Sequence, residues 1–136
     1  MTETQTRELF VRAAVDEDAR TVTGVGVPYG EIITVWGQRE MVAPGAVEAE
    51  GAKLFARHQT PVGLVTAQED TEQGWIPTGK FSRTAAAEDA YQLTRDGVYD
   101  GLSIGFEVLK AHWERDDQGD YVVYDRVRVR EVSVLP

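Results

Sequence analysis

At 136 residues, with 42% hydrophobic and 27% charged side chains, the chain is long enough to bury the core of one soluble domain without covalent staples. It has no cysteine, which excludes disulfides, thiolate metal sites and a cysteine nucleophile and is compatible with a reducing cytoplasm. Its net charge of −9 opposes sequence-independent binding to nucleic acid, no apolar run is long enough to cross a bilayer, and the N-terminus lacks the order of a secretory signal.

The chain reads as a succession of short strands. ELFVRAAV (8–15) is strand-like and ends in the polar turn Asp16-Glu17-Asp18. TVTGVGVPYG (21–30) returns as a second strand, bent or closely packed at Gly24 and Gly26. EIITVWGQREMV (31–42) is β-rich. Pro44 and Gly45 break it and open a short helix over 46–52. KLFARH (53–58) and VGLVTAQED (62–70) are strands separated by Pro61, followed by GWIPTGKFS (74–82). TAAAEDAYQLTRDG (84–97) is the one well-signalled helix. Thr84 caps it, Glu88 and Asp89 lie early, and Arg95 and Gly97 close it.

DGLSIGFEV (100–108) alternates strictly, with Leu102, Ile104, Phe106 and Val108 on a buried face and Ser103, Gly105 and Glu107 on the other. Asp116-Asp117-Gln118-Gly119 turns a hairpin into the last strand, where Arg126, Arg128 and Arg130 form a solvated row flanked by acids rather than a nucleic-acid footprint. His112 reads as solvated, and Trp36, Trp75 and Trp113 as core or rim packing. Many short strands with one or two helices predict a mainly antiparallel barrel or sandwich with helices laid outside it.

Three residues could form a nucleophilic site. Ser103 lies on its strand between Gly101 and Gly105, and glycine inside a strand often marks a close approach to the backbone. A serine hydroxyl needs a neighbouring base, and His58, at a strand end, is the natural one. Glu131 falls in phase with Val127 and Val129, and an inward carboxylate is costly unless something such as a histidine N–H pairs with it. Asp125 shares that phase but lies six residues away, about 20 Å along a strand, so both carboxylates cannot reach one imidazole. Each residue also has a plainer reading. The serine can be structural, the histidine a satisfied strand-end residue, and the glutamate the product of a register shift at a bulge. Two histidines and no cysteine leave no metal-ligand spacing.

A resemblance adds to this. GVGVPYG (24–30), REMVAPGAV (39–47), LFARH (54–58), DGVYDGLSIGFEV (96–108) and REVSVLP (130–136), in that order, resemble the successive motifs of the prohead proteases of tailed bacteriophages over nearly the whole chain. HQTPVG (58–63) departs from the family's acidic or asparagine residue and longer loop after the histidine. The family also continues past the final proline, so a truncated or processed product is expected here.

The resemblance implies one protease domain over 1–136, folded as a closed antiparallel β-barrel with flanking helices like the herpesvirus assembly proteases. It implies a serine endopeptidase with His58, Ser103 and Glu131 as catalytic residues, and Arg130 beside them as a candidate oxyanion donor. No cofactor or metal is expected. Its substrates would be scaffolding protein or a scaffold-like part of the capsid protein, and the enzyme itself, inside the procapsid in the host cytoplasm. Nucleic acid and membrane are not expected partners, and homo-oligomerisation is left open. The alternatives are a catalytically idle barrel that binds scaffold or capsid, and a lipocalin-like binding barrel, which the bulky inward positions and few strands disfavour.

Overall fold

The structure, a computed structural model, describes residues 14–136 and the backbone of 4–9. The elements in chain order are β1 (Thr4–Leu9), β2 (Ala14–Asp16), β3 (Thr21–Thr23), β4 (Val27–Pro28), β5 (Ile33–Val35), β6 (Gln38–Val42), β7 (Val47–Glu48), β8 (Lys53–Ala56), β9 (Thr60–Asp70), β10 (Gly74–Phe81), α1 (Ala85–Arg95), β11 (Gly101–Asp116) and β12 (Gly119–Leu135). The strand expected over 8–15 is represented by parts of β1 and β2, and its residues 10–13 lie outside the described ones.

One sheet orders the strands β1-β11-β12-β8-β9-β10-β3-β2. It curls into an open half-barrel rather than the expected closed barrel, because among the described residues no ladder joins the two ends of this path. Among the described residues the flanking helices reduce to α1. No described helix is long and apolar enough to cross a membrane.

Not every strand is antiparallel. β6, β7 and β8 run parallel to β12 and pair with it in succession. The helix expected over 46–52 is absent, and Val47–Glu48 forms β7 instead. Ala46 N–H bonds the Ala43 carbonyl at 3.1 Å, and Gly45 sits at φ 74°, so Pro-Gly makes a turn rather than a helix start. Pro61 does not separate two strands but lies near the start of β9, opposite Phe55.

α1 follows the sequence signals closely. The Thr84 side chain accepts from Ala87 N–H at 3.1 Å, Glu88 lies in the first turn, and Gly97 follows with φ 81°. The helix packs Ala87, Ala90 and Tyr91 into the core, where Tyr91 meets Phe81 edge-on.

Leu102, Ile104 and Phe106 are buried in the core as expected, and Val108 packs against it. Ser103 and Gly105 on the other face are buried too, so that face is not open. Trp75 is a core residue, whereas Trp113 is exposed and Trp36 entirely so, which corrects the packing role expected of both. Arg126 and Arg128 reach Glu48 and Arg130 reaches Glu107, so the arginine row is an ion-paired surface.

Candidate active site

Three residues, Arg57, His58 and Gln59, join β8 to β9, in a turn centred on Arg57 and His58 and closed by Gln59 N–H to the Ala56 carbonyl at 3.0 Å. Both residues are left-handed, with φ 54° and 61°. Two consecutive positive-φ residues suit the right-handed twist of a hairpin, but the turn favours Asn-Gly, and side-chain-bearing residues there cost about 1–2 kcal/mol each. The end of β12 offsets this strain. Arg57 N–H donates to the Val134 carbonyl and His58 N–H to the Ser133 hydroxyl, each at 2.9 Å. His58 therefore stands on a pinned turn, not at a loose strand end.

From that turn the imidazole bridges two strands. Nε2 lies 2.7 Å from Ser103 Oγ, and Nδ1 makes a short contact with Glu131 Oε1. With the proton on Nδ1, the ring donates to Glu131 and accepts from the serine hydroxyl. The three side chains singled out from the sequence are thus brought into one hydrogen-bonded chain, spread over β11, β12 and the β8–β9 turn. Ser103 is fully buried, while the His58 and Glu131 side chains are 26% and 19% exposed, so solvent reaches the chain from the carboxylate and imidazole side.

Glu131 arrives there by a different route from the expected one. Gly105 pairs with Glu131 but Phe106 pairs with Val129, leaving Arg130 as an extra residue in β12. This bulge reverses the phase. Val127 and Val129 face the core before it, Val132 and Val134 after it, and Glu131 and Ser133 turn to the face of Ser103. Glu131 is therefore not in phase with Val127 and Val129, although it does pair with the histidine. Arg130 is engaged by Glu107 at 2.8 Å.

Gly105 has a definite steric role. A Cβ there would stand 2.9 Å from Glu131 Cγ and 3.3 Å from Oε1. The glycine makes room for the carboxylate that holds His58, not for an incoming backbone beside Ser103. Gly105→Ala is expected to push Glu131 off the imidazole while leaving the strand paired. NMR of the His58 Nδ1 proton checks this, since the hydrogen-bonded resonance should be lost. Its persistence would show that the carboxylate accommodates the methyl group.

Ser133 is the residue that sequence reasoning missed. It is fully buried, stands opposite Ser103 across β11 and β12, and holds the His58 amide. The signal was present as a second polar residue two positions after Glu131, on what became the same face. Ser133→Ala leaves a turn amide without its acceptor and is expected to cost about 1–3 kcal/mol of stability. Denaturant melts measure the cost, and faster hydrogen exchange at His58 N–H locates it. Ser133→Thr keeps the hydroxyl and should retain the protection.

Asp125 and His112 form a separate cluster far along the hairpin. His112 Nδ1 meets Asp125 at 2.7 Å and Nε2 meets Glu114 at 2.6 Å. The hydrogen bonds to these two carboxylates, Asp125 first, hold the His112 proton above the usual imidazole range. The Asp125 carboxylate is thus occupied by the other histidine. Among the described residues no group of three or more His, Asp and Glu side chains is arranged to hold a metal ion.

The family model described as caudovirus prohead serine protease matches residues 7–136. No curated protein and no solved structure matches the chain.

Proposed function

The chain belongs to the caudovirus prohead serine protease family, whose role is capsid maturation within the procapsid, and on that basis we propose that Ser103, His58 and Glu131 are its catalytic triad. The observation that carries the proposal is the continuous hydrogen-bonded path from Ser103 Oγ through both nitrogens of His58 to Glu131. Such a path supports the reading, because a serine hydroxyl is activated by a neighbouring base that an acid orients.

In this mechanism Ser103 Oγ attacks the scissile carbonyl carbon as His58 Nε2 takes the hydroxyl proton. Glu131 accepts from Nδ1–H throughout, fixing the tautomer and stabilising the imidazolium that forms. Collapse of the tetrahedral intermediate breaks the C–N bond, and Nε2 returns the proton to the leaving amine. A water molecule, deprotonated by the same nitrogen, then attacks the acyl-serine ester. Release of the new carboxyl end regenerates the Ser103 hydroxyl.

The substrates we propose are scaffolding protein or a scaffold-like extension of the capsid protein, and the protease itself. Incubating the protein with the capsid and scaffolding proteins of its own phage, followed by mass spectrometry of the products, tests this. New termini in those chains that are absent with Ser103→Ala are expected. Unchanged substrates under conditions in which procapsids mature would overturn it. One observation favours a second reading, an inert half-barrel that binds capsid or scaffold: Ser103 has no solvent exposure in the resting structure. Retained binding with no cleavage would establish that alternative.

A further inference from the structure

The face that carries Glu131 continues away from the triad as one cross-strand row. Glu131 stands opposite Lys53 on β8, Lys53 opposite Leu64 on β9, and Leu64 opposite Lys80 on β10. Residues in direct cross-strand register share a face, and burial agrees. Lys53, Leu64 and Lys80 are exposed, while their chain neighbours Leu54 and Phe81 are buried. Leu64, at 48% exposure, is one of the few large apolar residues left open to solvent. Beside it runs a groove of about 250 Å³ lined by Leu64, Thr66, Lys80, Phe81, Ser82 and Arg83.

The row and its groove gather cations that form no ion pair. The chain carries −9, and Arg20, Arg39, Arg115, Arg126, Arg128 and Arg130 are each within an ion pair. Among the described residues Lys53, Lys80 and Arg83 form none, as is true of Arg57 and Lys110, but only these three gather around one exposed apolar residue, and Arg83 only senses the Glu88 carboxylate at longer range. Three uncommitted cations around an exposed leucine suit a ligand with carboxylates and an apolar side chain together. Against a strongly acidic surface, such a patch also favours one orientation of an acidic chain.

We infer that this row is a substrate subsite that receives an acidic, leucine-like segment of the polypeptide being cut, which deepens and rests on the triad reading. Strand spacing of about 4.8 Å puts Lys53 roughly 10 Å and Lys80 roughly 19 Å from β11. An extended peptide covers those distances in about three and six residues, respectively. The recognised carboxylates therefore lie three to six positions from the scissile bond, and the apolar residue between them rests on Leu64.

Two measurements test the subsite. The first is cleavage of a random peptide library, with products sequenced by mass spectrometry, by the wild type and by a variant combining Lys53→Glu, Lys80→Glu and Arg83→Glu. Enrichment of Asp and Glu three to six residues from the cut is expected for the wild type, and its loss or inversion to Lys and Arg for the variant. Equal preferences in the two proteins would overturn the inference. The second needs no catalysis: fluorescence anisotropy of a labelled Glu-Leu-Glu-Glu peptide, which the triple variant should bind at least tenfold more weakly and Lys110→Glu, opposite Arg126 and outside this row, as the wild type does. Equal binding by all three proteins, or displacement of the peptide by a short oligonucleotide as readily as by unlabelled peptide, would overturn a peptide subsite. Failure of the triad alone would appear as binding and its charge dependence intact with no cleavage of the library.

Discussion

Ser103→Ala is expected to lower kcat/KM on a cleaved substrate by roughly 10⁴–10⁶-fold, as when a hydroxyl nucleophile is removed and only substrate binding and transition-state dipoles remain. His58→Ala does comparable damage, and the double variant is little worse than either, because each residue acts only through the other. The 2.7 Å contact between Ser103 Oγ and His58 Nε2 is the geometric basis of that non-additivity. Steady-state kinetics on the four proteins reads it directly. Two independent, multiplicative losses would mean that the histidine does not activate this serine. His112→Ala is the matched control, since its ring is held by Asp125 and Glu114 on an exposed part of the hairpin, and it should leave turnover unchanged.

Glu131→Gln is expected to slow turnover by about 10²–10⁴-fold with little change in KM. Glutamine keeps the volume beside Gly105 but can present its amide N–H₂ to Nδ1, which favours the wrong tautomer and leaves the imidazolium without its counter-charge. Asp125→Asn should be nearly silent in kcat, because that carboxylate serves His112. Parallel kinetics on the two variants separates the two carboxylates. The reverse order of effects would mean that His58 is oriented by a group other than Glu131.

Much of the local structure was legible because it follows short-range rules. The capped helix and the alternation of Leu102, Ile104 and Phe106 depend on residues within a turn or a strand of one another. The features that were misread depend on partners distant in the chain. The helix expected after Pro44-Gly45 gave way to β7 because β12 offers Val127 and Arg128 as a parallel ladder. The left-handed turn at Arg57 and His58 carries no Asn-Gly signal, because its stabilisation comes from Ser133 and Val134.

The candidate site shows the same division. Composition and pattern supplied a serine, a histidine and a carboxylate, and the family motifs selected which ones. The reason Glu131 sits where it does was opposite to the one that strand phase suggested. A continuous strand would turn it toward the core with Val127 and Val129, and the extra residue Arg130 turns it to the Ser103 face instead. Gly105 was correctly marked as a place of close approach, but the approaching group is the Glu131 side chain.

Fluorophosphonate labelling, with the modified residue mapped by peptide mass spectrometry, reads whether Ser103 is a nucleophile activated by His58. The hydroxyl is fully covered at rest, so labelling reads opening of the site together with activation of the oxygen. A single phosphonylated residue, Ser103, is expected, with the adduct lost in His58→Ala and strongly slowed in Glu131→Gln. Modification of a different serine, or labelling of Ser103 at the same rate in His58→Ala as in the wild type, would contradict the triad reading.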